Sequence, residues 1–276
     1  MILFATRAHR RASALHLIAA TVLATVASTQ LFAHGGGGDI ALYDDNGKIG
    51  IGFAELDDDD INQVFFDPND IVHQSILLPQ PPIPTIPFDF GSSEPGFDAD
   101  EFSLTPNSAV TVNPLSLSYW DGIGAVDFQP SVDTSADYSP STIMSTDGDG
   151  GFHAHPVMGL SSTAGTVADG VYVAEFSVSV PGMTDSDPFY LVAMVDELIN
   201  NSSDPEGSAE MLGELIRNYQ ADPLNAPAPM YEGKDFTFYA EAVAVVEAQV
   251  PEPGFMGLST LATLGLLGAR LRRRTR

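Results

Sequence analysis

The chain has 276 residues, no cysteine, and 37 acidic against 11 basic side chains. Because such an excess of negative charge repels nucleic acid, DNA- and RNA-binding functions are excluded. The absence of cysteine excludes a disulfide framework and a thiol nucleophile.

The first 33 residues have the pattern of a secretory signal peptide. Three arginines between positions 7 and 11 precede an apolar run, 12–26, and small residues follow it. Cleavage after Ala27 and cleavage after Ala33 both fit this pattern, and the polar, glycine-rich sequence that begins at His34 favours Ala33. We expect a signal helix, export by the Sec machinery and processing by signal peptidase.

The segment 34–249 is predicted to be one acidic, exported domain. It contains three cationic side chains against 36 acidic ones, a net charge of about −33. We expect this charge to keep the domain soluble, and we expect salt or divalent cations to relieve its self-repulsion.

The first predicted element of the domain is a β-hairpin. Alternating apolar residues flank Asn46 and Gly47, a pair that readily adopts the positive φ angles of a type I′ turn. An acidic loop, Asp57–Asp60, follows the hairpin. The proline-rich segment 78–87 is expected to be an extended surface segment or a sheet edge, because proline cannot donate a hydrogen bond within a sheet.

Four further strands are predicted in the middle of the chain. Alternation predicts a strand at 115–120 paired with a second one at 125–128, and the polar stretch 131–151 is predicted to be a long loop. The strongest strand pattern is 170–180, where every second residue is apolar. The continuous apolar run 189–195 predicts a strand that is buried on both sides.

The end of the domain is predicted to contain a helix and a last strand. The sequence Asp204-Pro205-Glu206 marks a helix start, and the apolar residues that follow at helical spacing predict about three turns. Alternation predicts a strand over 236–246. Since strands dominate, we expect an all-β fold, an antiparallel, jelly-roll-like β-sandwich with one short helix.

Two histidines form the most compact group of candidate metal ligands. His153 and His155 are two residues apart, so on a strand both side chains project from one face, a spacing known among metal ligands. If cleavage follows Ala33, His34 offers an amine and an imidazole that together chelate copper. A zinc or copper site would need a third ligand from His34, His73 or a loop aspartate. The alternative is that these are ordinary surface histidines.

Acidic loops are the second group of candidate ligands. Asp147 and Asp149 supply oxygen atoms on a turn, as do the runs 57–60 and 185–187, and calcium prefers such ligands. None of these loops has the spacing of an EF-hand, and the alternative is a solvated acidic loop.

No catalytic group is predicted. The chain has no Gly-x-Ser-x-Gly motif, and a catalytic carboxylate pair cannot be identified among 36 acids without geometry. Aromatic residues near 119–120 and 189–190 could line a sugar-binding face, but their strand periodicity places them in the core first.

The last 27 residues have three parts in a fixed order. Pro251, Glu252 and Pro253 precede an uncharged run, 254–269. As a helix, this run would be about 24 Å long, which only just spans a bilayer core of about 30 Å. An arginine cluster ends the chain and is expected to stay in the cytoplasm: Arg270, Arg272, Arg273, Arg274 and Arg276.

This order of motif, transmembrane helix and basic cluster resembles the PEP-CTERM sorting signal of Gram-negative bacteria. The resemblance implies that a membrane protease of the exosortase type acts at the Pro-Glu-Pro motif. The stretches that begin at Tyr119 and Asp169 are similar to segments of uncharacterised exported all-β proteins with the same signal, which implies no catalytic residue. The alternative for the tail is an ordinary membrane anchor after a proline-rich linker.

The sequence therefore predicts a signal peptide (1–33), an acidic β-sandwich domain (34–249) and a sorting signal (250–276). We expect a precursor anchored in the inner membrane and a mature protein in the outer envelope, at the cell surface or in the extracellular matrix. Its expected role is structural or adhesive, working through extracellular polysaccharide. The alternative is a metal- or carbohydrate-binding module on the cell surface.

Overall fold

A computed structural model of the chain describes residues 38–57, 60–68, 70–80, 87–101 and 103–250, without the side chains of 55–65. The predicted signal helix and sorting signal, with its transmembrane helix, lie outside these residues. None of the helices in the described ranges combines the length and the apolar character needed to cross a membrane.

The described residues form a mostly β fold with 17 strands and three helices. The strands are β1 (Asp39–Asp45), β2 (Lys48–Asp57), β3 (Asp60–Asp67), β4 (Val72–Ile76), β5 (Leu78–Pro79), β6 (Phe90–Ser92), β7 (Phe97–Ala99), β8 (Ala109–Trp120), β9 (Gln129–Pro130), β10 (Thr134–Ser139), β11 (Thr142–Ser145), β12 (Phe152–Ala154), β13 (Val157–Ser162), β14 (Gly170–Ser179), β15 (Phe189–Val195), β16 (Met230–Tyr231) and β17 (Lys234–Asp235). The helices are α1 (Glu197–Asn200), α2 (Pro205–Ala221) and α3 (Thr237–Gln249).

The strands are arranged in several sheets, two of which are mixed. One sheet has the order β12-β7-β1-β2-β3, a second has the order β11-β8-β14-β15-β4 with β9 added beside β8, and a third has the order β10-β13-β6-β5. Because β1 pairs with β7 and β4 pairs with β15 in parallel, the expectation of a purely antiparallel fold is wrong. Both parallel pairs join strands that are distant in sequence, and the pattern within one strand does not encode the direction of its partner.

The sheet centred on β14 and β15 is buried on both faces. On one face, aromatic rings connect it to the other two large sheets: the ring of Phe97 in β7 lies 5.3 Å from that of Tyr138 in β10 and 6.2 Å from that of Phe189 in β15. On the other face, Val192 and Met194 pack in a second apolar cluster with residues of the helices. The prediction that β15 is buried on both sides is therefore confirmed.

Several other local predictions are confirmed. The first hairpin turns at Asn46 and Gly47, whose φ angles are 56° and 87°, and β14 covers the predicted alternating run. β5 forms the edge of its sheet, as expected of proline-rich chain, although residues 81–86 lie outside the described ranges. Of the predicted acidic loop 57–60, Asp57 ends β2 and Asp60 begins β3, the two face each other in the pairing, and residues 58–59 lie outside the described ranges.

The helix predicted after Asp204 is α2, and it is longer than expected. The Asp204 side chain accepts a hydrogen bond from the Gly207 N–H, and proline follows it in the first turn, as the start signal indicated. The helix has 17 residues and buries Leu212 and Ile216.

Three predictions about secondary structure are wrong. The polar stretch 131–151 contains β10 and β11, in which three apolar side chains, Ala136, Tyr138 and Ile143, are buried in the core. Segment 125–128 is not a strand in the described chain, and β9 pairs with the longer β8 instead.

The third wrong prediction concerns 236–246, which belongs to α3 rather than to a strand. Tyr239, Val243 and Val246 recur at helical spacing and are buried. The intervening alanines favour the helix, since alanine has the highest helix propensity. The described residues thus contain three helices where one was expected.

Candidate metal centre

The candidate site lies on the outer face of the β12-β7-β1 edge. β12 pairs antiparallel with β7 so that His153 is directly opposite Asp98. The neighbouring side chains Phe97 and Phe152 are buried in the core. Because side chains alternate along a strand, Asp98 and His153 project from the opposite, outer face, as the sequence predicted for the two histidines.

Gly96, which has no side chain, allows Asp39 and His155 to approach each other. Continued by one residue, the register places Asp39 of β1 and His155, just after β12, on either side of Gly96, which directly precedes β7. A Cβ atom on Gly96 would lie 2.7 Å from Asp39 Oδ1 and 2.7 Å from His155 Cε1. The Gly96 N–H also donates a hydrogen bond of 2.9 Å to Asp39 Oδ1, which orients the carboxylate. The missing side chain therefore creates the space in which Asp39 and His155 meet.

Three ligand atoms come together at this site. His153 Nε2 and His155 Nε2 are 3.0 Å apart. Asp39 Oδ2 lies 3.9 Å from His155 Nε2 and 3.3 Å from His153 Nδ1. Two ligands of a tetrahedral zinc ion, each about 2.0–2.1 Å from the metal, are about 3.3 Å apart. The spacings of 3.0 Å between the two Nε2 atoms and 3.9 Å from Asp39 Oδ2 to His155 Nε2 lie on either side of this value, and ligand atoms of all three side chains lie within 4.8 Å of one another, so one metal ion fits after side-chain movements.

Hydrogen-bond acceptors lie beside the Nδ1 atoms of both histidines. His155 Nδ1 lies 3.1 Å from Glu94 Oε1 and 3.3 Å from the Ser93 carbonyl oxygen. His153 Nδ1 lies 3.3 Å from Asp39 and 3.5 Å from Asp98. The tautomer with its proton on Nδ1 is therefore available to each ring, and a ring in this tautomer turns the Nε2 lone pair toward the other histidine. The Nε2 atoms, 3.0 Å apart, can share a hydrogen bond when one ring is protonated at Nε2, or serve as two ligand atoms of one metal cation.

The site is partly shielded and negatively charged. The exposed fraction of the side chain is 15% for Asp39, 36% for His155 and 59% for His153, so the site is open to solvent on the histidine side. Burial raises the pKa of Asp98, and the His153 ring beside it acts in the opposite direction. The carboxylate of Asp39 is thus largely shielded, whereas the histidine side of the site is accessible to solvent.

The other predicted ligands do not join this cluster. Within the described ranges, Asp39, His153 and His155 are the one group of three side chains positioned to share a metal ion. Asp147 Oδ1 instead accepts hydrogen bonds of 2.9 and 3.0 Å from the N–H groups of Asp149 and Gly151. These bonds lower the pKa of Asp147 and show that its carboxylate stabilises the turn before β12.

The remaining candidates lie elsewhere. His34 is outside the described residues, as are the Pro251–Pro253 motif and the arginine cluster. His73 is buried in β4 beside Phe189, with ring centroids 6.1 Å apart, so it is not the third ligand. Trp120 and Phe189 are also buried in the core and do not form an exposed sugar-binding face.

Sequence reasoning missed the acidic partners of the histidines. Asp39, Glu94 and Asp98 are far from His153 in sequence, and local spacing does not connect them. The available signal was strand alternation, since Asp39 directly precedes the buried Ile40 and Asp98 lies between the buried Phe97 and Ala99. Such a pattern identifies an outward carboxylate but not its neighbours.

Comparisons with known proteins identify no relative of this chain. No family model matches the chain, and no curated protein or solved structure matches it.

Proposed function

We propose that the chain is an exported cell-surface protein whose domain binds a divalent transition metal ion at Asp39, His153 and His155. The observation that carries the proposal is the contact of 3.0 Å between the two Nε2 atoms, whose outer ring nitrogens face hydrogen-bond acceptors. A metal cation bound to these atoms would give each ring the arrangement common in metal sites, in which a histidine binds the metal through one nitrogen and donates a hydrogen bond to a carboxylate through the other.

The donor set favours zinc or copper over calcium. Two imidazole nitrogens and one carboxylate oxygen suit zinc and copper, whereas calcium takes oxygen ligands almost exclusively. Bound zinc would be held by three side chains at the edge of an open surface.

The proposed location rests on the two ends of the sequence. The signal peptide and the PEP-CTERM-like tail support export by the Sec machinery, anchoring of a precursor in the inner membrane, and processing by an exosortase-type protease. α3 ends at Gln249, and its cap residue Val250 directly precedes the Pro-Glu-Pro motif. This position supports a boundary between the folded domain and the sorting signal.

The proposed role in the envelope is structural or adhesive, in the cell surface or extracellular matrix layer. We also propose a jelly-roll-like β-sandwich as the finer description of the fold; the packing of one face of the β14–β15 sheet against strands of the other two large sheets supports this. The helices on its second face distinguish it from a simple two-layer sandwich.

Isothermal titration calorimetry of the purified protein with zinc sulfate tests metal binding. We expect one zinc ion per chain, loss of binding in the double variant His153→Ala/His155→Ala, and affinity reduced on the order of ten-fold or more in Asp39→Asn. The matched control Asp149→Asn removes one carboxylate charge from an exposed turn and should bind zinc like the wild type. Titration with calcium chloride should give no comparable heat. Zinc binding that is unaffected by the histidine substitutions would contradict the proposal.

A further inference from the structure

Zinc held by the three ligands that the described residues supply would keep one further coordination position, and we propose that a second copy of this chain fills it. Zinc would then link two copies into a dimer. This inference rests on the proposed function, because it requires zinc at Asp39, His153 and His155. It adds a partner for the same site.

The proposal depends first on the coordination number of zinc. Protein-bound zinc takes four ligands in a tetrahedron, and the described residues bring together three. With 59% of the His153 side chain and 36% of the His155 side chain exposed, the fourth position faces away from the sheet. A side chain of another molecule can therefore reach it.

The proposal depends second on the position of the site at the edge of a sheet. β12 is the terminal strand of the order β12-β7-β1-β2-β3, so another molecule can approach it from the side. Two copies related by a two-fold axis would place identical β12 edges together. The strand has only three residues and is soon followed by Pro156, which lacks an N–H, so strand pairing alone is too short to hold two copies.

Charge makes the association depend on metal. With 36 acidic against three cationic side chains in the exported segment, two copies repel each other. Near the site, Asp39, Glu94 and Asp98 add to this repulsion. A dication held there offsets the local charge and attracts a carboxylate, which is a zinc ligand that this surface has in abundance. The chain is therefore expected to be monomeric without zinc and dimeric with it.

Size-exclusion chromatography with multi-angle light scattering, run beside zinc calorimetry on the same samples, tests the inference. We expect zinc sulfate to double the molar mass of the wild-type protein and excess EDTA to reverse the change. Calcium chloride at matched ionic strength should leave a monomer. Asp149→Asn should dimerise like the wild type, whereas His153→Ala/His155→Ala should stay monomeric.

The outcomes separate this inference from the proposed function. Zinc binding by calorimetry with an unchanged molar mass would overturn the dimer and leave the metal site intact. No zinc binding at all would overturn the proposed function and the dimer together. A zinc-dependent dimer that persists in the double histidine variant would place the contact elsewhere and overturn the inference.

Discussion

At the scale of single residues, two buried ionisable groups near β4 oppose each other in the pH dependence of folding. Burial lowers the pKa of His73 from 6.5 to about 3, and its Nε2 has no hydrogen-bond partner. Burial also raises the pKa of Asp70 from 3.8 to about 7, with smaller contributions from Glu247 and Asp67. Each group is held in its neutral form at a pH where it would be charged in the unfolded chain.

The sign of each effect follows from which state binds more protons. Below about pH 6.5 the unfolded chain protonates His73 and the folded chain does not, so His73 lowers stability as the pH falls. Above about pH 3.8 the unfolded chain ionises Asp70 and the folded chain keeps its proton up to about pH 7, so Asp70 lowers stability as the pH rises. Between about pH 3.8 and 6.5 the two slopes, each up to about 1.4 kcal/mol per pH unit, nearly cancel.

Single substitutions should separate these slopes. Relative to wild type, His73→Leu should gain stability as the pH falls through this window, and Asp70→Asn should gain stability as the pH rises through it. Urea denaturation of wild type and both variants at several pH values measures the differences, so the contribution of the many other carboxylates cancels. Two variants whose free energies of unfolding run parallel to the wild-type curve would contradict the assignment.

At the scale of elements, local patterns predicted the structure where the pattern itself defines the environment. β14, β15 and the first hairpin were predictable because their alternation, apolar run and Asn-Gly turn lie within a few residues. β10 was missed because Tyr138 is buried only through the sheet that packs over it. The two histidines were expected on one outer face, but their partner Asp39 is brought to them by strand pairing that local sequence does not encode.

The segment that forms α3 was predicted to be a strand because the aromatic residues at its start, Phe236 and Phe238, alternate with a polar one. Substitutions at the exposed Ala244 distinguish the two structures by sign. In a helix, Ala244→Val should lower the free energy of unfolding by about 0.5 kcal/mol and Ala244→Gly by about 1 kcal/mol. In a strand, valine would be favoured over alanine. Chemical denaturation provides the values, Ala164→Gly in the exposed turn between β13 and β14 is the control, and an increase in stability for Ala244→Val would exclude the helix.

At the scale of the whole molecule, the segment between residues 34 and 250 has a large excess of negative charge. Of the three cationic side chains between 34 and 250, Lys48 pairs with Asp187 at 2.5 Å and Lys234 pairs with the buried Asp196. The large remaining negative charge is consistent with a protein that stays dispersed until a cation binds.

The sorting proposal predicts a defined change in the processed product. Glu252→Ala should leave the unprocessed chain in the inner membrane, because the apolar run 254–269 is unchanged and still inserts while the protease motif is lost. Mass spectrometry of the termini in each cell fraction measures this. Glu241→Ala, an exposed glutamate of α3, is the matched control and should be processed normally. The same mature mass in Glu252→Ala and wild type would remove the sorting proposal.

Anomalous X-ray diffraction at the zinc absorption edge, from crystals of the protein grown with zinc, tests the central claim most directly. The account predicts one strong peak between Asp39 Oδ2 and the Nε2 atoms of His153 and His155, about 2.0–2.1 Å from each. A structure with ordered histidines and no peak at this position, or with its zinc peak at another set of side chains such as the Asp147 turn, would contradict it.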